Sequence, residues 1–267
     1  MSEEQLILPF WASNVERGIP NSLARSALFG MVKRGAERKQ YKDELIASYA
    51  GTEILYTGEA LNQQDLDLWL ELVDRWREVG GGDLDLSFTR YGLCKMLGKR
   101  KNAQSYQQIK DSLKRLRRTD IEVNTKTKKG RIIYNGGLIH ELGRIEEDER
   151  TEIRINMNGN LAKLFGGRGN RQFSTQILDQ RRSLKGDLSK WLYGYIITHR
   201  TDFERMKPHW IKLDKLKNLS GSTGTMKMFK FNLKKALEQL VKAAVVKEWE
   251  INERGVMVVY RREELMK

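Results

Sequence analysis

Two stretches decide the fold: Ile109-Lys110-Asp111-Ser112-Leu113-Lys114-Arg115-Leu116, which leads to Ile121, and Leu233-Lys234-Lys235-Ala236-Leu237-Glu238-Gln239-Leu240, which leads to Val245. In each, apolar residues recur at spacings of three and four, so they line one face of a helix that runs into a strand. A constant offset of 124 positions relates Ile109 to Leu233, Leu113 to Leu237, Leu116 to Leu240 and Ile121 to Val245. A shared apolar frame with different exposed residues is what two copies of one small module produce. The pattern predicts an α+β protein with tandem winged-helix domains, two helix-turn-helix modules each with a β-hairpin wing.

The first of these helices is expected from about Asn102 to Arg118. Its hairpin reads as Ile121 to Thr125 and Arg131 to Tyr134 around the basic turn Lys126-Thr127-Lys128-Lys129-Gly130. Glu152 to Asn156 is expected to add a third strand to that sheet, and the acidic run Glu146 to Glu149 reads as a solvated turn. The second helix is expected from about Thr225 to Ala244, followed by strands on either side of Asn252-Glu253-Arg254-Gly255. Short helices precede both, one ending at Gly98 and one carrying Leu213, Leu216 and Leu219.

Further out, Leu66, Trp69, Leu70, Val73 and Trp76 mark an amphipathic helix that Asn62 would cap and Gly80-Gly81-Gly82 would end. Its acidic residues Asp65 and Asp67 read as solvated surface. Trp191, Leu192, Tyr195 and Ile196 mark a comparable helix. The first 36 or so residues lack sustained periodicity and read as a flexible N-terminal arm. The expected division is 1–36 arm, 37–158 first winged-helix domain and 159–267 second.

Lys and Arg number 49 against 35 Asp and Glu, a formal charge of +14, which points to a polyanionic partner. A basic protein with no nucleic-acid role is the plainer alternative. Cys94 is the only cysteine, which excludes an intrachain disulfide or a cysteine-rich metal site. No apolar run approaches a membrane span and Glu3 and Glu4 do not suit a signal peptide, so a soluble cytoplasmic location without membrane contact is expected.

A short helix, a turn and a longer helix place the start of the longer helix against base edges in the major groove. In copy one that start holds Lys99, Arg100, Lys101, Asn102, Gln104, Ser105 and Gln108; in copy two it holds Ser222, Thr223, Thr225, Lys227, Met228 and Lys230, with Lys234 one turn on. Asn and Gln can pair with adenine, Arg or Lys with guanine, and Thr can meet a thymine methyl. Lys126, Lys128, Lys129 and Arg131, and Arg254 in the second turn, suit phosphates. A single charge run is as readily a solvated helix face, but two in register favour DNA.

Ala24-Arg25-Ser26-Ala27-Leu28-Phe29, Tyr56-Thr57-Gly58 with Asp65-Leu66 and Trp69, and Leu93-Cys94 before Leu97-Gly98 resemble the TrfA family of plasmid replication initiators. The likeness runs from Leu6 through the second hairpin. It implies binding to repeated origin sequences (iterons) and opening of an adjacent AT-rich region, with contact to the opened single strand. It also implies recruitment of a replicative helicase and a host initiator protein, and a monomer–dimer equilibrium in which the monomer is the active DNA-binding form and the homodimer limits copy number. Residues of the reading helices differ in kind from the family pattern, so no iteron sequence carries over.

Gln5-Leu6-Ile7-Leu8-Pro9-Phe10 is similar to the hexapeptide by which bacterial proteins dock on the sliding clamp. Gln5 would anchor by hydrogen bonds while Leu6, Leu8 and Phe10 fill apolar subsites. The alternative is that Leu6, Leu8 and Phe10 tuck back onto the first domain. There is no Gly-x-x-x-x-Gly-Lys-Ser/Thr segment, and His140, His199 and His209 are scattered, without metal-ligand spacing. No enzyme, cofactor or metal site is expected. A winged-helix transcriptional repressor or copy-number regulator and a nicking replication enzyme are the rival readings. Transcriptional effects without origin firing would mark the first rival, a covalent tyrosyl-DNA product the second.

Overall fold

The computed structural model describes residues 8, 11–12, 14–33, 35–49, 51–82, 85–127, 130–147, 150–166 and 171–262, and over 144–147 and 150–151 it describes the backbone only. Strand β1 (Glu16–Pro20) and a helical turn α1 (Asn21–Ala24) precede the pair β2 (Gln40–Ile46) and β3 (Thr52–Glu59) and the helix α2 (Gln63–Glu78). Next come β4 (Asp85–Thr89), α3 (Arg90–Met96) and α4 (Ala103–Arg117), then two hairpins, β5 (Asp120–Thr127) with β6 (Gly130–Gly136) and β7 (Glu141–Glu147) with β8 (Arg150–Asn156). A 3-10 helix (Gly159–Phe165) leads to β9 (Phe173–Ile177), α5 (Leu178–Ser183) and α6 (Asp187–Ile197). The chain then forms β10 (His209–Lys212), α7 (Leu213–Leu219), α8 (Met226–Lys242) and the hairpin β11 (Val246–Ile251) with β12 (Val256–Arg261).

The repeated apolar frame is core in both copies: Ile109, Leu113, Leu116 and Ile121, and Leu233, Leu237, Leu240 and Val245, are all buried. Each half closes strand, helix, helix and hairpin into a three-stranded antiparallel sheet of the same order, β4-β8-β7 and β10-β12-β11. Leu86 lies opposite Ile155 in the first, and Ile211 opposite Met257 in the second, so the strand before the helices grips the last strand of the hairpin.

The first wing is not the expected one. Hairpin β5–β6 is an insertion that joins β2 and β3 in a separate four-stranded sheet of order β2-β3-β5-β6. β8, expected beside β5–β6, pairs with β4 and β7 instead. The reason lies in the alternation along β5, where Ile121 and Val123 are buried and Glu122 is exposed. That apolar edge lies in register with Tyr56 and Ile54 of β3, so the two strands bury one face together. The acidic run is also no simple turn: Glu146 and Glu147 are strand residues opposite Thr151 and Arg150 at the end of β7–β8.

The described part of the expected arm is built into the fold. β1 pairs antiparallel with β9 from Glu16 opposite Ile177 to Pro20 opposite Phe173. Trp11 stacks on Phe165 at 5.8 Å between centroids, and Ile19, Leu23, Leu28 and Phe29 are buried.

α2 is the hub between the halves, packed against both α4 and α6. Its start is a capping box, in which the Asn62 side chain accepts from the Gln64 and Asp65 N–H groups and Asp65 accepts from the Asn62 N–H. The Gly80-Gly81-Gly82 run ends it, each with positive φ, and the Gly81 N–H returns to the Trp76 carbonyl at 2.9 Å. The acidic face is not solvated as expected. Asp65 is fully buried and receives Arg115 at 2.8 Å and Arg38 at 3.2 Å. Asp67 receives Arg181 at 2.7 Å and Lys190 at 2.5 Å, both from the second half.

Two of the three histidines, ten positions apart, meet in the core of the second half. The His199 and His209 rings stack at 3.8 Å, and the Tyr195 hydroxyl lies 3.0 Å from His209 Nε2. Burial, reinforced by the nearby Arg25 guanidinium, lowers His209 from 6.5 to about 4, and burial with the neighbouring His209 lowers His199 further. Below pH 6.5 the unfolded chain binds protons that the folded chain refuses, so this contribution is full above that pH and lost as pH falls toward 4. Urea unfolding should show a loss across that window on the order of 3 kcal/mol from His209, to which His199 adds a loss of the same sign. His209→Phe should reduce the dependence by the His209 share while that of His199 remains, and an unchanged profile in that variant would assign the loss elsewhere.

Candidate nucleic-acid interface

α4 and α8 owe their positions to the same local chemistry. Asn102 caps α4, its side chain accepting the Ser105 N–H at 2.8 Å, and Thr225 caps α8 by accepting the Met228 N–H at 3.3 Å. Ile109, Leu113 and Leu116 seat α4 on its sheet, and Phe229, Leu233, Leu237 and Leu240 seat α8. The side chains opposite those rows must face outward.

On α8 the expected residues Thr225, Lys227, Met228, Lys230 and Lys234 are exposed, as is Thr223 before it, while Ser222 is half-buried. Arg254 is exposed in the turn between β11 and β12, the wing of this half. On and before α4, Arg100, Lys101, Asn102, Gln104 and Gln108 are exposed and Lys99 is half-buried. Some are already engaged: Lys99 Nζ donates to Gln108 Oε1 at 3.2 Å, and Lys101 Nζ sits 3.7 Å above the Tyr91 ring.

Three expectations need correction. Ser105 is only 9% exposed and lies on the core side of α4, so it offers DNA nothing. Position 105 is equivalent to buried Phe229 under the repeat, which places it on the apolar side of the helix. Lys126 and Arg131 are exposed and directly opposite one another, but on the inserted hairpin rather than on the wing of α4; Lys128 and Lys129 lie outside the described residues. Leu8 is 5% exposed and part of the core, so it presents no free side chain to a partner, while Gln5, Leu6 and Phe10 lie outside the described residues.

The expected DNA-contact set left out other outward residues, among them Lys110, Lys114 and Arg118, which the helical spacing already puts on the non-apolar faces. Gln107, Lys110 and Lys114 of α4 and Arg118 just past its end are exposed opposite its buried row, and so are Phe231 and Lys235 of α8. The signal was available, because positions 107, 110, 114 and 118 share one helical face. Arg115 is withdrawn from that face by its ion pair with Asp65. Among the described residues no group of three or more His, Cys, Asp or Glu could hold a metal, and no helix is long and apolar enough to cross a membrane.

Two outward lysine-bearing helices thus stand on twin three-stranded sheets. The sequence pattern of the family described as TrfA protein matches residues 4–259. The chain belongs to the TrfA family. A relative, the plasmid replication initiator protein TrfA of Escherichia coli, is 25% identical over 241 residues, covering 89% of this chain and 60% of that protein. This TrfA-family chain thus spans about 60% of the length of that relative. Its fold is similar to a crystal structure of domains 2 and 3 of RctB, with a TM-score of 0.57 over 90% of this chain and 98% of the other at 14% identity. A second crystal structure of those RctB domains gives 0.52 over 87% and 95%, at 13% identity. At such identity the likeness to RctB is one of fold.

Proposed function

We propose that this chain is a plasmid replication initiator that binds repeated origin sequences in duplex DNA through α4 and α8. The observation that carries the reading is the repetition: each half turns a cationic helix face outward from the same strand, helix, helix and hairpin order, within a chain of the TrfA family. Exposed lysines would neutralise phosphates, and side chains at the helix starts would meet base edges. Binding energy from two grooves would help open a neighbouring AT-rich tract, whose single strand the basic surface would hold. The helicase and host initiator would supply the motor and loading steps.

Clamp recruitment through Gln5, Leu6, Leu8 and Phe10 is part of the proposal, with the added requirement that Leu8 leave the core. That would cost about 1.5–3 kcal/mol, so docking should be weaker than for an unconstrained peptide. For the monomer–dimer equilibrium, the outer face of the four-stranded sheet offers exposed Leu45, Leu55 and Ile133 to a second copy.

Footprinting on the cognate origin tests the central claim. Two protected tracts about 10 bp apart on one face of the duplex are expected for each bound protomer. Protection of one short half-site only would refute two-helix binding.

A further inference from the structure

Phe231 and Met228 are each 53% exposed on α8, while Phe229, Leu233, Ala236, Leu237 and Leu240 of the same helix are buried. Position 231 stands one turn from Lys227 and from Lys235, with Lys230 and Lys234 alongside, and Lys235 Nζ lies 4.1 Å above the Phe231 ring. An apolar ring in the middle of a cationic face is poorly served by water. A protein covering it would also have to desolvate the surrounding ammonium groups. Duplex DNA meets both demands. Phosphates bordering the major groove take the lysines, and inside the groove the thymine C5-methyl is the apolar group that a phenyl ring can contact.

We propose that Phe231, with Met228 beside it, determines sequence preference by packing on thymine methyl groups. The inference rests on the DNA-binding reading above and names what one helix would read. It assigns Phe231 a role that its class disguises in sequence, since an aromatic residue on an amphipathic helix ordinarily belongs to the core.

The test starts with selection of bound sequences from random duplexes by the full chain. Thymines in the tract protected by α8 are then replaced one at a time with deoxyuridine, which keeps the pairing and lacks only the methyl. At one or more positions the wild-type chain is expected to bind about fourfold more weakly, the effect of one buried methyl-sized group. Phe231→Ala should bind the unmodified site more weakly and be indifferent to the replacement, and Phe231→Leu should keep part of the sensitivity. Both changes are on the surface, so unfolding midpoints should stay within experimental error of the wild type. Deoxyuridine without effect at every thymine, or full sensitivity retained in Phe231→Ala, overturns the inference while selected-site binding stands. Unchanged DNA binding in Phe231→Ala with loss of a protein partner also overturns it. A chain that selects no sequence overturns the DNA-binding reading itself, and this inference with it.

Discussion

Asp67→Ala is expected to destabilise the protein by about 3–5 kcal/mol, the cost of leaving a buried charge without its counter-ion. Arg181, only 2% exposed, reaches from α5 to α2, where it donates to Asp67 Oδ1 at 2.7 Å and to Gln63 Oε1 at 3.0 Å; it also donates to Gln176 Oε1 at 2.9 Å. The two glutamines satisfy donors and leave the charge unbalanced. Lys190 loses the same carboxylate, but it is partly exposed and can turn to water. Arg181→Met should cost less than Asp67→Ala, because Asp67 keeps Lys190 and has side-chain access to solvent. The double variant Asp67→Ala with Arg181→Met should recover much of the loss, since no charge is then stranded. Urea titrations of the three variants read this directly. A double variant as unstable as the sum of the singles would mean that packing, rather than charge, joins the halves there.

That joint shows what a single chain does and does not disclose. The twin helices were legible because the spacing of Ile109, Leu113 and Leu116, and of Leu233, Leu237 and Leu240, is a local signal that burial enforces. Asp65 and Asp67 were misread because their partners stand 50 and 114 residues away, and an acidic residue on a helix looks the same whether water or arginine faces it. β1 was missed for a related reason: five residues have no period to detect, and their pairing with β9 is set by tertiary structure. The inserted hairpin is the most instructive error. Ile121 and Val245 occupy equivalent places after their helices, yet one strand pairs with β3 and the other with β12. An alternating strand declares which face is apolar but not which neighbour it will take. At the interface, exposure at the helix starts was mostly legible, whereas Ser105 and Phe231 required knowing which way each face of the helix points.

Removing three charges from α8 is the largest expected effect on binding. Lys227, Lys230 and Lys234 are exposed on the helix away from its buried row, and each can neutralise one phosphate. Replacing all three with Ala should reduce the slope of log affinity against log salt by about 2.7 and weaken binding at 0.15 M salt by roughly a hundredfold. Stability should change little, because alanine is a strong helix former and none of the three is buried. The matched control is the double variant Lys126→Ala with Arg131→Ala. Had β5–β6 been the wing of α4, losing two cations there would reduce the slope by about 1.8. Because that hairpin belongs to the four-stranded sheet, its cations have no position relative to α4 equivalent to that of Arg254 relative to α8, and a smaller change is expected. Salt titrations on one selected duplex separate these outcomes. A full slope change from the inserted hairpin would place it on the DNA after all, while an unaltered slope in the α8 triple variant would remove that helix from the interface.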